Sequence, residues 1–349
     1  TLEKEFNTKC QPRFGYCVDG NRFIPVQLLD VAGLVPGAHE GKGMGNQFLD
    51  DLRQADAFIH IIDISGSTNE NGELVEALSY DPGNNLKFLE YELDMWYLQI
   101  LKKGWEKFSR QVKQENLDIK KALAKQLSGL KIREELVEDL IKKLNLSKDP
   151  TIWKENDLLE LASELRKKTK PMIIAANKID IEGSEENFEN LKKEFKDYII
   201  MPCSAESELA LKEAAKHKLI EYIPENNDFK ILDESRLNEK QINGLEFIKN
   251  LLKKYNTTGV QETLDKAVFS LLNYIAVFPV ANNKLEDSSG NKLPDCFLVN
   301  KDTTALEFAF KIHTDIGNNF IRAVDLKTKQ IIGKDHKLKH LDVIEIITR

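Results

Sequence analysis

The sequence lacks any apolar run long enough to cross a membrane and has only four cysteines, Cys10, Cys17, Cys203 and Cys296, in 349 residues. A membrane-spanning helix needs about 20 predominantly apolar residues, so we expect no membrane association. Cys10 and Cys17 are spaced more widely than the ligands of a zinc knuckle, and no paired Cys/His set follows them. We therefore expect reduced thiols and a cytoplasmic protein.

Charge is unevenly distributed along the chain. The net charge is −7, yet residues 102–170 carry 18 Lys/Arg and 12 Asp/Glu. This asymmetry is typical of a module that faces nucleic acid, although a solvated, lysine-rich helical surface would give the same pattern. A chain of this length is also too long for one small core, so two or three domains are expected.

A glycine-rich stretch organises the first part of the chain. Residues 28–49 read LLDVAGLVPGAHEGKGMGNQFL, and we predict that Val26, Leu28 and Leu29 form an apolar strand ending at Asp30. A carboxylate at the carboxyl end of a buried strand, followed by glycines, is typical of phosphate and metal sites in α/β sheets. Asp30 and Gly33 have the D-x-x-G spacing, in which Asp30 would hold Mg²⁺ and the backbone N–H of Gly33 would meet a γ-phosphate.

A second motif follows a second apolar strand. Residues 171–180 read PMIIAANKID and end in the N-K-x-D arrangement of Asn177, Lys178 and Asp180. The Asp180 carboxylate can accept both the ring N1–H and the amine of guanine, while Asn177 tethers neighbouring loops and the Lys178 stem lies along the base. A polar Asx-turn is the alternative for this segment alone.

A third motif, Ser204-Ala205 followed by Glu206, comes after another short apolar run, and it would place a backbone N–H on guanine O6. The three motifs occur in the order that GTPases use, which favours the nucleotide interpretation over three unrelated turns.

The residues 30–49 closely resemble the Obg-type branch of GTPases, and within it the YchF subfamily. This resemblance implies a P-loop GTPase-type, mostly parallel α/β sheet with a helical or coiled-coil-like insertion and a C-terminal β-grasp (TGS) domain. We predict four segments: 1–85 and 169–274 as the two parts of the GTPase domain, 86–168 as the helical arm, and 275–349 as the TGS domain. The related developmentally regulated GTP-binding branch also ends in a TGS domain, but the position of the insertion fits YchF better.

One family element is missing, because no G-x-x-x-x-G-K-[S/T] phosphate loop occurs in the sequence. We expect that this loop and the first switch precede Thr1 and that the sequence is a fragment. The alternative is a natural, non-hydrolysing relative.

The residue after Gly33 is Leu34, where Ras-like enzymes carry a Gln. A hydrophobic side chain cannot orient water, so the resemblance implies slow intrinsic hydrolysis of GTP, with help from a partner or a monovalent cation. Leu34 could equally pack under the loop. His39 is the titratable side chain of the loop that could approach water, although solvated loop histidines are common.

Together with these motifs, the resemblance implies a monomeric, ribosome-associated GTPase that acts as a translation-linked switch, with Mg²⁺ and GTP as cofactors and rRNA contacted through the arm and the TGS domain. Two alternatives remain: a non-catalytic RNA- or ribosome-binding adaptor, and an ATP-preferring member of the same subfamily, since bacterial relatives carry N-x-x-E at the base-reading position.

Overall fold

The computed structural model describes residues 2–31, 53–287 and 289–349. The chain forms two compact units: one joins the described residues up to Leu28 with Val268–Arg349, and the other is Leu29–Ala267. This division differs from the four predicted segments, since residues 2–28 lie with the C-terminal unit. Within the described residues, no helix is long and apolar enough to span a membrane.

The described strands are short and fall into four sheets. In chain order they are β1 Tyr16–Val18, β2 Asn21–Phe23, β3 Phe58–Asp63, β4 Met172–Asn177, β5 Ile199–Pro202, β6 Ile220–Glu221, β7 Lys230–Ile231, β8 Tyr274–Val280, β9 Phe297–Asn300, β10 Phe320–Asp325, β11 Gln330–Ile332 and β12 Val343–Thr348.

The described α-helices range from one turn to twenty residues. They are α1 Leu2–Glu5, α2 Gly83–Lys102, α3 Trp105–Gln114, α4 Ile119–Gln126, α5 Glu134–Lys143, α6 Glu155–Thr169, α7 Ser184–Glu194, α8 Ala205–Lys216, α9 Glu239–Tyr255, α10 Val260–Asp265, α11 Ala305–Ile312 and α12 Thr314–Asn318.

A parallel sheet of order β3-β4-β5 lies at the centre of the larger unit. Every residue of β4 except the last is buried, as is typical of a parallel strand covered on both faces. The register pairs Asp63 with Asn177 at the ends of β3 and β4, and Ala176 with Pro202 at the end of β5. The carboxyl ends of all three strands therefore meet at one edge.

The predicted strand at Val26–Leu29 is wrong for the described residues. Val26, Leu28 and Leu29 are exposed and form no strand. An extended apolar segment becomes a strand only when a neighbouring backbone supplies its hydrogen bonds, and no described strand pairs with this one.

Helices α2–α6 form the predicted insertion, built as a bundle of short helices around one apolar core. The most buried side chains of this core include Leu93, Leu101, Leu123 and Leu161. Helix α2 ends at Lys102 because Gly104 adopts φ +73°, and α3 begins at the next residue. The arm is therefore a compact bundle in which no helix is longer than α2.

The smaller unit contains a mixed sheet of order β11-β10-β12-β8-β9, in which β8 and β12 are parallel. Helix α11 packs on this sheet through the fully buried Phe308 and begins with a capping box between Thr304 and Glu307. A helix on one face of a five-stranded mixed sheet is the predicted β-grasp layout.

Candidate functional site

The edge of the parallel sheet where β3, β4 and β5 end collects polar side chains. Asp63 is the last residue of β3, Asn177 is the last residue of β4, and Ser204 follows β5 and caps α8. Open α/β sheets bind ligands at the carboxyl ends of their strands, because the loops that leave the strands converge there.

Asn177 joins the β4 loop to the β5 loop. Its Oδ1 accepts a hydrogen bond from the backbone N–H of Ala205 at 3.0 Å. Two backbone bonds support the same junction: Cys203 N–H donates to Ala176 O at 2.9 Å, and Ile179 N–H donates to Cys203 O at 3.1 Å. The second and third sequence motifs are therefore held side by side.

Lys178 lies over the end of β3. It has φ +67°, in the left-handed region, and its Nζ donates to Asp63 Oδ2 at 2.8 Å and to Ser67 Oγ at 3.1 Å. The Lys178 side chain is 39 % exposed and that of Asp63 only 9 %. The lysine stem thus crosses the loop edge, with its ammonium group fixed by a buried carboxylate.

The Asp63 carboxylate is saturated with donors. Ser65 donates to Oδ1 through both its backbone N–H and its hydroxyl, and the hydroxyls of Ser67 and Thr68 donate to Oδ2. Burial alone would raise the pKa of Asp63, but the bonds from Lys178 and these three residues outweigh it and lower the pKa to about 2. Asp63 is therefore a fixed anion that positions Lys178, with little capacity left to ligate a metal.

The segment between α9 and α10 hydrogen-bonds to the turn at Ser204. Ser204 N–H donates to Thr258 O at 2.9 Å, and Thr258 Oγ1 donates to the buried Glu208 at 2.6 Å. Gly259 has φ +79°, and a Cβ there would lie 1.8 Å from Pro202 O. Only glycine permits this approach, so the β5 end and the start of α8 are firmly placed.

Asp180 is half-buried on the loop between β4 and α7. Within the described part of the chain, no hydrogen bond or ion pair engages its carboxylate. Ala205 and Glu206 are exposed at the start of α8. The carboxylates of Asp180 and Glu206 therefore have no partner among the described residues.

The residues of the glycine-rich stretch are not brought to this edge by the described contacts. Asp30 is exposed and ends no strand, and Val31 packs against the apolar core of the bundle. Gly33, Leu34 and His39 lie outside the described residues. The Mg²⁺ site at Asp30 and the guanine contact of Asp180 stay predictions.

Sequence reasoning missed the role of Asp63. Its carboxylate is not among the site residues predicted from the sequence. A signal was present, because Asp63 is followed by Ser65, Ser67 and Thr68, a set of short hydroxyl side chains suited to surround a strand-end carboxylate.

Comparison with known proteins matches both parts of the chain. Residues 175–282 match the family model described as Obg-like GTPase YGR210-like, G4 motif-containing domain, and residues 290–348 match the TGS domain. The first match contains Asn177, Lys178 and Asp180.

Relatives and solved structures extend this likeness over nearly the whole chain. An uncharacterized GTP-binding protein of Methanocaldococcus jannaschii is 53 % identical over 346 residues, which cover 99 % of this chain and 86 % of the relative. An uncharacterized GTP-binding protein of Schizosaccharomyces pombe is 33 % identical, covering 85 % of this chain and 74 % of the relative. The crystal structure of a GTP-binding protein from Pyrococcus horikoshii OT3 superposes with a TM-score of 0.78 at 38 % identity, covering 98 % of this chain and 88 % of that one.

More distant neighbours show the same fold. The Schizosaccharomyces pombe YchF GTPase gives a TM-score of 0.55 at 18 % identity, covering 99 % of this chain and 84 % of that one. A parallel sheet with an N-K-x-D loop, joined to a β-grasp domain, defines a P-loop GTPase-type protein with a TGS domain. The chain belongs to the YchF-like members of the Obg family of GTP-binding proteins. The predicted family and fold class are confirmed.

Proposed function

We propose that the chain is a cytoplasmic GTPase that reads guanine with Asp180, hydrolyses GTP slowly, and docks on the ribosome in a nucleotide-dependent manner. The observation that carries the proposal is the edge where Asn177 binds the Ala205 N–H and the Asp180 carboxylate keeps its acceptors uncommitted among the described residues.

The base preference follows from donor and acceptor positions. A carboxylate only accepts hydrogen bonds, and guanine offers two adjacent donors, N1–H and the exocyclic amine. Adenine has an acceptor at N1, so its N1 lone pair would face the carboxylate oxygens of Asp180 and repel them. The family includes proteins named ribosome-binding ATPase YchF, such as one from Buchnera aphidicola at 25 % identity. ATP is therefore the competitor to test.

The proposed chemistry assigns the glycine-rich stretch to the phosphates. Asp30 would hold Mg²⁺ through carboxylate oxygen, the ligand type that this cation prefers, and Gly33 would offer its N–H to the γ-phosphate. Asp63 is excluded from the metal role because Lys178 and three hydroxyl side chains occupy it. With Leu34 in place of a Gln, water would be oriented by another group, by a monovalent cation or by the partner; His39 is the candidate side chain in the loop.

A direct binding measurement tests the base assignment. Equilibrium titration of GTP, XTP and ATP with the wild type and Asp180→Asn should show loss of GTP affinity and gain of XTP affinity in the variant. Glu182→Gln, an exposed neutralisation two residues further along the loop, is the matched control and should bind GTP as the wild type does. Unchanged GTP affinity in Asp180→Asn, or wild-type preference for ATP, would refute the proposed guanine site.

Ribosome docking is proposed for the helical bundle and the TGS domain. One support is that relatives of this chain are named ribosome-binding ATPases. The other is the basic insertion, where Lys121 and Lys125 lie one turn apart on α4, exposed and without an ion pair to any described residue. Phosphate-rich RNA favours such unneutralised lysines, since each contact releases a bound counterion.

Charge reversal at two places tests whether ribosome binding depends on these lysines or only on the overall charge of the protein. Lys121→Glu combined with Lys125→Glu should reduce co-sedimentation with ribosomes, and the loss should grow as salt is lowered towards conditions where the wild type binds best. Lys193→Glu combined with Lys196→Glu makes the same charge change beside α7, where both lysines are exposed. Equal losses in both pairs would show that docking does not depend on the bundle.

A further inference from the structure

Three potential metal ligands converge in the N-terminal segment of the smaller unit. Glu3 lies on α1, Cys10 follows in the next loop, and Cys17 lies in the middle of β1. A carboxylate oxygen of Glu3 and the two sulfur atoms all lie within 4.8 Å of one another. The sequence spacing of the two cysteines predicts no metal site, and the fold supplies the third ligand.

The carboxylate is fixed between the two cysteines by direct contacts. Glu3 Oε1 accepts the backbone N–H of Cys10 at 2.8 Å and the thiol of Cys17 at 3.4 Å. The Cys10 side chain also hydrogen-bonds to this carboxylate. These contacts orient the carboxylate towards both thiols.

The loop that carries the cysteines is anchored along its length. Gln11 N–H donates to Lys292 O at 2.8 Å, and Arg13 N–H donates to Pro294 O at 2.9 Å. On the other side, Tyr16 and Phe23 stack across the β1–β2 hairpin with ring centroids 4.5 Å apart. The three ligands are therefore held by backbone and ring contacts that do not depend on an ion.

The arrangement matches the requirements of zinc. Zn²⁺ binds thiolate sulfur at about 2.3 Å and carboxylate oxygen at about 2.0–2.2 Å in a tetrahedron. Two sulfurs on such an ion lie about 3.8 Å apart, so ligand atoms within 4.8 Å need only a small closure.

We propose that Glu3, Cys10 and Cys17 form a binding site for a thiophilic divalent cation of the zinc class. On binding, each thiol releases its proton to buffer, the two sulfurs and one carboxylate oxygen coordinate the ion, and water completes the fourth position. No electron transfer is involved. The site joins α1 to the β1–β2 hairpin, so the bound ion adds one cross-link between elements that protein contacts already hold together.

Cobalt(II) provides a spectroscopic probe of these ligands. Titration of the reduced, metal-free full chain should give a thiolate-to-cobalt charge-transfer band that saturates at one ion per chain, and Zn²⁺ should bleach it. Cys10→Ser and Cys17→Ser should abolish the band. Cys203→Ser and Cys296→Ser, which remove the other two thiols, should retain it.

A milder variant keeps the test valid if a serine substitution impairs folding. Glu3→Gln keeps the size of the side chain and should weaken zinc affinity at least tenfold, since even loss of an outer-shell partner commonly costs about 10–100-fold. Absence of a charge-transfer band in the wild type, or its persistence in Cys10→Ser, would overturn the proposal. Formation of a Cys10–Cys17 disulfide that zinc does not prevent would also overturn it.

Discussion

The Asp63–Lys178 pair permits a quantitative prediction about stability. Replacing Asp63 by Asn removes a carboxylate that is 9 % exposed and accepts from Lys178 and three neighbouring residues. The pKa of Asp63 lies at about 2 in the folded chain, against about 3.9 for an ordinary Asp, and one pKa unit corresponds to about 1.4 kcal/mol. Lys178 is 39 % exposed and can be rehydrated. We therefore expect the free energy of unfolding to fall by about 2 kcal/mol, which is less than the whole pKa shift would give.

This contribution depends on pH in a defined direction. A depressed folded-state pKa stabilises the protein above the unfolded-state pKa, and the stabilisation disappears as pH falls through the folded-state value. The free energies of unfolding of wild type and Asp63→Asn should therefore differ by the full amount above about pH 4 and become equal as the pH falls towards 2.

Urea unfolding followed by tryptophan fluorescence provides the assay, because Trp96, Trp105 and Trp153 all lie in the same compact unit as Asp63. The urea midpoint should fall at unchanged slope, and the melting temperature should drop by about 4–8 °C for a unit of this size. Asp197→Asn, an exposed change, is the control. A free energy of unfolding within about 0.5 kcal/mol of wild type in Asp63→Asn would refute the reasoning.

Three further changes test other contacts. Gly259→Ala should destabilise the protein by about 3 kcal/mol, because its Cβ would lie 1.8 Å from the β5 carbonyl at a φ of +79°. Gly244→Ala lies in open space within α9 and should stabilise the protein by about 1 kcal/mol, both measured by thermal unfolding. Arg166→Met should cost about 3 kcal/mol in urea because two carboxylates lose a buried partner, whereas Arg110→Met, in an exposed pair, should cost under about 1 kcal/mol. Asn177→Ala should weaken GTP binding by roughly tenfold through the freed Ala205 loop, measured by titration; undiminished affinity would contradict the proposed tether.

The sequence predicted those parts of the fold that depend on local pattern. The apolar run before Asn177 predicted β4, and Asp118 and Thr304 are of the residue types that cap helix starts, where α4 and α11 begin. These features are readable because periodicity and capping act over a few residues.

Features that depend on distant partners were missed or wrongly predicted. The apolar residues near Leu28 indicated a strand, but strand formation depends on a neighbouring backbone that local sequence does not reveal. The Asp63–Lys178 pair joins residues 115 positions apart, and the ligand set of Glu3, Cys10 and Cys17 becomes visible only when α1 and β1 are brought together.

The buried guanidinium of Arg166 connects the bundle to the sheet. Its Nε donates to Asp94 on α2 at 2.8 Å, its Nη2 to Glu90 on the same helix at 3.1 Å, and its Nη1 to Tyr198 Oη, just before β5, at 3.2 Å. Burial alone would lower the pKa of Arg166, but the hydrogen-bonded carboxylate of Asp94 raises it above its ordinary value. The permanently charged side chain of Arg166, on α6, therefore links α2 to Tyr198, just before β5. The Ser204 turn follows the other end of this strand. The Ser204 turn and the insertion are therefore connected through β5, a strand of only four residues.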